Sequence, residues 1–178
     1  MDNCRIRFEL ENKFSIELGE IFEKGAVASG GAVLACLLSE EIRPEQDLDL
    51  YVRKSNKVEV CNELIRQGFV FEDGTEIDDE GYKNIKICEI RNYEKDERKV
   101  QVLVHELELI EVLMSFDFSF CVNICDINGC WMLCPEYTLQ KKGYRLKFNS
   151  TRKIEERDKK YRDRGFKIGR FEIEFPDD

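Results

Sequence analysis

The sequence predicts an α+β domain, close to α/β in character, with a mixed central sheet flanked by helices. Three observations carry that prediction. The short apolar segment Ala26-Val27-Ala28 breaks at Ser29-Gly30-Gly31 and runs directly into the helix-forming stretch Ala32 to Leu38. A second apolar segment, Leu48 to Val52, follows with Asp47 and Asp49 at its start. Strand-type and helix-type segments then alternate to the C-terminus, with no internal repeat, low-complexity tract or proline-rich linker. The 178 residues fit a single domain, 1–178, large enough to bury a core, with 139–178 as a basic C-terminal helical extension.

Residues 4–10 (Cys-Arg-Ile-Arg-Phe-Glu-Leu) alternate apolar and charged side chains, which predicts a half-buried strand. Phe14, Ile16, Leu18 and Ile21-Phe22 continue the apolar content without a clean period. Ser39-Glu40-Glu41 and Pro44 end the helix that opens at Ala32. Ser55 or Asn56 can cap a helix through Gln67, with Val58, Cys61, Leu64 and Ile65 on one face and Gly68 at its end. Residues 73–81 are acidic, contain glycine and read as a loop. Strands are expected near 83–90 and 99–104, joined by the charged turn 92–98, and a short helix or turn at 108–114.

A hairpin is expected from 116–125 and 130–134, turned by Asn128-Gly129. That turn pairs Cys125 with Met132 and Asn123 with Cys134, and places Cys121, Cys125, Cys130 and Cys134 on one face. Cys121 and Cys125 would lie about 13 Å apart along one strand, too far for a single tetrahedral zinc, so small buried thiols are the expectation. A helix over 151–164, seamed by Ile154 and Tyr161 and ended by Gly165, precedes a last strand over 168–175.

The chain carries 28 Lys and Arg against 37 Asp and Glu, a net charge of −9, which argues against broad nucleic-acid binding. The charge is uneven. Residues 141–170 hold 13 basic and 4 acidic side chains, +9, so the remainder carries −18. The basic segment either faces a phosphate-bearing ligand, the one route to nucleic acid, or neutralises the acidic body. Within it Lys159, Lys160, Arg162 and Arg164 can reach phosphate or form a solvated face. No apolar run reaches membrane-spanning length, and the N-terminus shows no secretory pattern. Eight cysteines then read as reduced thiols in a cytoplasmic setting.

Asp47 and Asp49 stand two apart on a strand and so share a face. Adjacent carboxylates repel, and a divalent cation relieves the repulsion. A glycine turn beside them can bring backbone N–H groups against phosphate oxygens. Together these features point to metal-assisted handling of a nucleoside triphosphate. The plainer alternative is an acidic pair facing solvent or bound to Arg43 or Arg53. His105, the single histidine, follows an apolar strand without an obvious partner.

The unit of strand, Ser29-Gly30-Gly31-Ala32-Val33, helix and then Asp47-Leu48-Asp49-Leu50 resembles the nucleotidyltransferase fold of the DNA polymerase beta superfamily. Ser115-Phe116-Asp117-Phe118-Ser119-Phe120-Cys121 is similar to a segment of uncharacterised relatives from large DNA viruses and phages, and 157–166 is similar to their closing helix. The likeness runs from 26 to 166 and rests on the order of short motifs. It implies a minimal nucleotidyltransferase fold and Mg²⁺- or Mn²⁺-dependent transfer of a nucleoside monophosphate to an unspecified acceptor. It also implies Asp47 and Asp49 as metal ligands, and Ser29, Gly30 and Gly31 at the nucleotide; from the basic C-terminal segment Lys159 is assigned to the nucleotide beside them. Active members carry a third carboxylate on a later central strand. Here that strand, Val100 to Val104, offers the neutral Gln101, with Asp117 as the substitute acid. The other roles open to such a chain are an inactive viral structural or host-interaction module, in host cytoplasm or virion, and a nucleotide-binding regulator.

Overall fold

The computed structural model describes residues 3–76, 87–146 and 152–170. Its first element is a helix, α1 (Asn3–Phe14), where a strand was expected over 4–10. The alternation of residues 4 to 10 misleads because Ile6 and Leu10 also fit a four-residue step, which Phe14 continues. Those three side chains are fully buried, whereas Phe8 is 64 % exposed. Arg5–Glu9 (2.7 Å) and Arg7–Glu11 (3.0 Å) add pairs at the same helical spacing. Next come α2 (Leu18–Glu23), β1 (Ala26–Ser29), α3 (Gly31–Leu37) and β2 (Leu48–Arg53). The strand–turn–helix–strand unit therefore stands where the sequence placed it.

The helix α4 (Lys57–Arg66) buries Val60, Cys61, Glu63 and Leu64, so its inward face is turned from the one expected; Val58 and Ile65 are exposed. Glu63 tolerates this position because Arg66 and Gln67 both donate to its carboxylate. Strand β3 (Val70–Glu76) takes up the first residues of the expected 73–81 loop, and residues 77–81 lie outside the described residues. β4 (Ile87–Lys95) and β5 (Arg98–His105) extend through most of the expected 92–98 turn, which shrinks to Asp96-Glu97, both at positive φ. Residues 83–86 are likewise outside the described set.

A short helix, α5 (Leu109–Leu113), opens with a capping box between Glu108 and Glu111. The hairpin is β6 (Asn123–Asp126) and β7 (Gly129–Met132), shorter than expected and in another register. Asp126 Oδ1 accepts from the N–H groups of Asn128 and Gly129, which centres the turn on Ile127-Asn128. Cys125 therefore opposes Cys130 rather than Met132. Their Cα atoms are 4.0 Å apart and their sulfurs are joined, so these two are not the free thiols expected; the other six are. The elements α6 (Pro135–Thr138), β8 (Lys142–Arg145), α7 (Arg152–Asp163) and β9 (Lys167–Arg170) complete the described chain. Residues 171–175 of the expected last strand are not among them.

The main sheet runs β3-β4-β5-β2-β1-β6-β7, with β2 and β5 parallel and the other neighbours antiparallel. Strands β8 and β9 form a separate parallel pair. On one face Leu48, Leu50 and Val52 of β2 and Val100, Val102 and Val104 of β5 share a core with α1 to α4. The opposite face carries Tyr51, Leu103, Phe116, Val122 and Ile124 in a second core. A third cluster joins Phe118, Phe120, Ile154, Tyr161 and Phe166 and fastens α7 to the segment before β6. Phe120 is its hub, with ring centroids 5.2 Å from Phe118, 4.7 Å from Tyr161 and 4.3 Å from Phe166. No helix among the described residues is long and apolar enough to cross a membrane.

Candidate active site

Alternation along β2 decides what faces the cavity. With Leu48 and Leu50 committed to the helical layer, Asp47, Asp49 and Tyr51 turn to the opposite face. Because β5 lies parallel to β2 with Asp49 opposite Gln101, the Gln101 side chain stands directly beside that carboxylate. The cavity over this face measures about 280 Å³ and is lined by Asp47, Asp49, Gln101, the Gly30-Gly31 turn, Phe116 and Asp117. Helix α7 supplies the facing wall with Arg157, Lys160 and Tyr161, and Arg164 follows just beyond its end. The spacing 157, 160, 161, 164 is one helical stripe, set in phase by the buried Ile154 and Tyr161.

Gly30 sits at φ +84°, and a Cβ there would lie 2.5 Å from Asp49 Oδ2, so the turn requires glycine to approach the acid. At Gly31 a Cβ would lie 2.7 Å from Gln46 Nε2. The buried Asn123 clamps the turn from behind, with Nδ2 donating to the carbonyl oxygens of Gly30 and Phe120, each at 3.3 Å. The Ser29 hydroxyl is buried and donates to the Asn123 carbonyl at 2.5 Å, so it is engaged away from the cavity.

Asp117 is buried and accepts from Arg157, which places it in an ion pair at the rim. Lys159 points outward to Asp163 at 2.7 Å, and its neighbour Lys160 takes the place at the cavity. Arg162 pairs with Asp158, again outside the cavity. Of the residues assigned from sequence, Asp47, Asp49, Asp117, Gly30 and Gly31 meet at one cavity, whereas the side chains of Ser29 and Lys159 do not. His105 is buried under Leu107, whose carbonyl oxygen is 2.7 Å from Nδ1, and is not part of the lining.

Burial, reinforced by the Asp47 charge, pushes the Asp49 carboxyl up to about 7, with Lys160 and Arg157 opposing the rise. Burial also raises Asp47, against Lys99 and Lys160. Lys160 is lowered by burial and by the cations of Arg164 and Arg157. Burial lifts the Cys121 thiol to about 12, which removes it as a nucleophile. Among the described residues no three His, Cys, Asp or Glu side chains converge as a metal cluster. The donors available are two repelling carboxylates and the carboxamide of Gln101, an all-oxygen set of the kind that hard divalent cations take.

No protein-family model matches this chain, and no curated protein does. Solved structures do. The Thermotoga maritima CCA-adding enzyme complexed with tRNA matches 95 % of the chain with a TM-score of 0.65 at 16 % identity, over 42 % of its own length. A CCA-adding enzyme with CTP matches 93 % at a TM-score of 0.62 and 16 % identity, over 40 % of that chain. A tRNA nucleotidyltransferase with a primer tRNA and an incoming ATP analogue matches 84 % at 0.53 and 16 % identity, over 51 % of that chain. The fold is of the nucleotidyltransferase type. At these identities the likeness is one of fold, and the chain spans about half or less of each matched structure. Within this fold Asp49 of β2, Asp47 just before it and the turn before α3 face one cavity.

Arg157, Gln46 and Asn123 were not singled out from sequence as site residues. The signal for Arg157 was present in the Ile154–Tyr161 seam, which sets the phase of α7. Asn123 reaches the turn only through the β1–β6 pairing, which is not local in sequence.

Proposed function

We propose that this chain transfers a nucleoside monophosphate from a nucleoside triphosphate to an acceptor, releasing pyrophosphate, with Mg²⁺ or Mn²⁺ at Asp47 and Asp49. The observation that carries the reading is convergence: two acids, a glycine turn and the cations of α7 line one cavity. Asp47 and Asp49 would hold the cation, which supplies charge stabilisation for the attacking and leaving oxygens. The Gly30-Gly31 turn, which carries no side chain of its own and lies against Asp49 and Gln46, would bring its backbone N–H groups to the phosphates beside the metal. Lys160 and Arg164 offset the charge of the triphosphate. Arg157 keeps Asp117 oriented at the rim, where it is the remaining acid able to take a proton from an acceptor.

One observation favours a second reading, nucleotide binding without turnover. The strand position beside Asp49 holds the neutral Gln101, and Asp117 is already tied to Arg157. Incubation with α-labelled nucleoside triphosphates and Mg²⁺ or Mn²⁺ separates the two. Label on an acceptor with pyrophosphate release, lost in Asp49→Asn, supports transfer. Nucleotide-dependent thermal stabilisation with no pyrophosphate supports binding alone.

A further inference from the structure

A single register row crosses five strands, Asp73 of β3, Asn92 of β4, Gln101 of β5, Asp49 of β2 and Ser29 of β1, and of these Gln101 and Asp49 line the cavity. Asp73 reaches this row only through a β-bulge. The β3–β4 pairing shifts between Phe71 and Asp73, so that Asp73 rather than Glu72 opposes Asn92. A bulge of this kind re-aims a side chain to the other face of the sheet.

The hydrogen bonds along the row run one way. Asn92 Nδ2 donates to Asp73 Oδ1 at 2.5 Å, and Gln101 Nε2 donates to Asn92 Oδ1 at 2.9 Å. An ionised carboxylate only accepts, so Asp73 requires the amide nitrogen of Asn92. Asn92 is left with its oxygen to offer, and Gln101 must give its own nitrogen to it. The Gln101 Oε1 is then the end of the row that remains, makes no hydrogen bond among the described residues, and belongs to a side chain lining the cavity beside Asp49.

We propose that Gln101 Oε1 is a third, neutral oxygen ligand for the divalent cation, and that Asn92 and Asp73 are positioning residues that fix which end of the carboxamide faces it. This rests on the reading of Asp47 and Asp49 as metal ligands. The row explains how a glutamine can serve where a carboxylate would need no orientation. A carboxylate offers oxygen at both ends, whereas a carboxamide turned the wrong way presents N–H groups to a cation. Outer partners that orient a ligand commonly govern metal affinity by tenfold or more.

The test is Mn²⁺ binding to the full chain, without nucleotide, followed by electron paramagnetic resonance, with circular dichroism to check the fold of each variant. Native protein binds Mn²⁺ and Asp49→Asn does not. Gln101→Leu weakens binding by about tenfold or more, and Gln101→Glu tightens it through the added charge. Asn92→Leu weakens binding by about tenfold in the native background but leaves it unchanged in the Gln101→Glu background, where no amide needs orienting. A merely structural Asn92 would weaken both backgrounds alike. The inference is overturned if Asp49→Asn abolishes binding while Gln101→Leu and Asn92→Leu bind as the native chain does. If Asp49→Asn binds Mn²⁺ normally, the metal site itself is misassigned and the inference falls with it.

Discussion

Replacing Asp49 by asparagine should stabilise the metal-free protein while abolishing its response to metal and nucleotide, two effects of opposite sign from one substitution. Burial and the Asp47 charge lift the Asp49 carboxyl from its ordinary 3.8 to about 7. A tenfold change in proton affinity between the folded and unfolded chain is worth about 1.4 kcal/mol, so ionising Asp49 in the folded state costs at most about 4 kcal/mol. The Asp49 side chain is only half-buried and keeps solvent contact in the cavity, which reduces this to roughly 2 kcal/mol. The sign follows from proton counting. Between pH 3.8 and about 7 the native state holds a proton that the unfolded chain has released, so stability falls as pH rises through that window.

At pH 8 in EDTA, Asp49→Asn should therefore unfold about 4–8 °C above the native chain, using roughly 2–4 °C per kcal/mol for a domain of this size. Near pH 4 the difference should close, because the native carboxyl is then neutral. Urea titration and calorimetry across this range, with and without Mg²⁺ and nucleoside triphosphate, measure both effects. A variant less stable than the native chain at pH 8 in EDTA would show that ionised Asp49 is not destabilising there, and an advantage of equal size at pH 4 would show that its charge is not the cause.

Three further outcomes follow from the same geometry. Gly30→Ala puts a Cβ 2.5 Å from Asp49 Oδ2 at φ +84°, so it should cost about 1–3 kcal/mol in urea and also displace the acid, measurably lowering Mn²⁺ affinity. Phe120→Ala empties the hub between Phe118, Tyr161 and Phe166 and should cost about 3–5 kcal/mol, with faster amide exchange in α7 as the local signature. Lys160→Ala should weaken triphosphate binding in calorimetry, whereas Lys159→Ala, which loses only the exposed pair with Asp163, should leave it unchanged.

The β1–turn–α3–β2 unit was legible because its information is local. Glycine marks the turn, and a two-residue period sends Asp47 and Asp49 to one face while Leu48 and Leu50 go to the other. The N-terminal helix was not, since an alternating run of seven residues fits a strand and a helix equally until Phe14 extends the four-residue step. The hairpin was found but its register was displaced, because Asp126 rather than the Asn128-Gly129 pair organises the turn. At the cavity, Lys159 and Lys160 were both visible as basic residues. Which of them faces inward is a matter of helix phase, and Tyr161 sets it. The Asp73–Asn92–Gln101 row depends on a bulge and on pairing between distant strands, neither of which leaves a mark in the local sequence.

The most direct test of a cation-dependent nucleotide site at the β2 acids is calorimetric titration of a nucleoside triphosphate into the full chain. It is run with and without Mg²⁺, on the native protein and on Asp47→Asn/Asp49→Asn. Saturable binding to the native chain is expected only when Mg²⁺ is present, with none to the double variant. Equal binding by both proteins, or binding indifferent to Mg²⁺, would contradict that expectation.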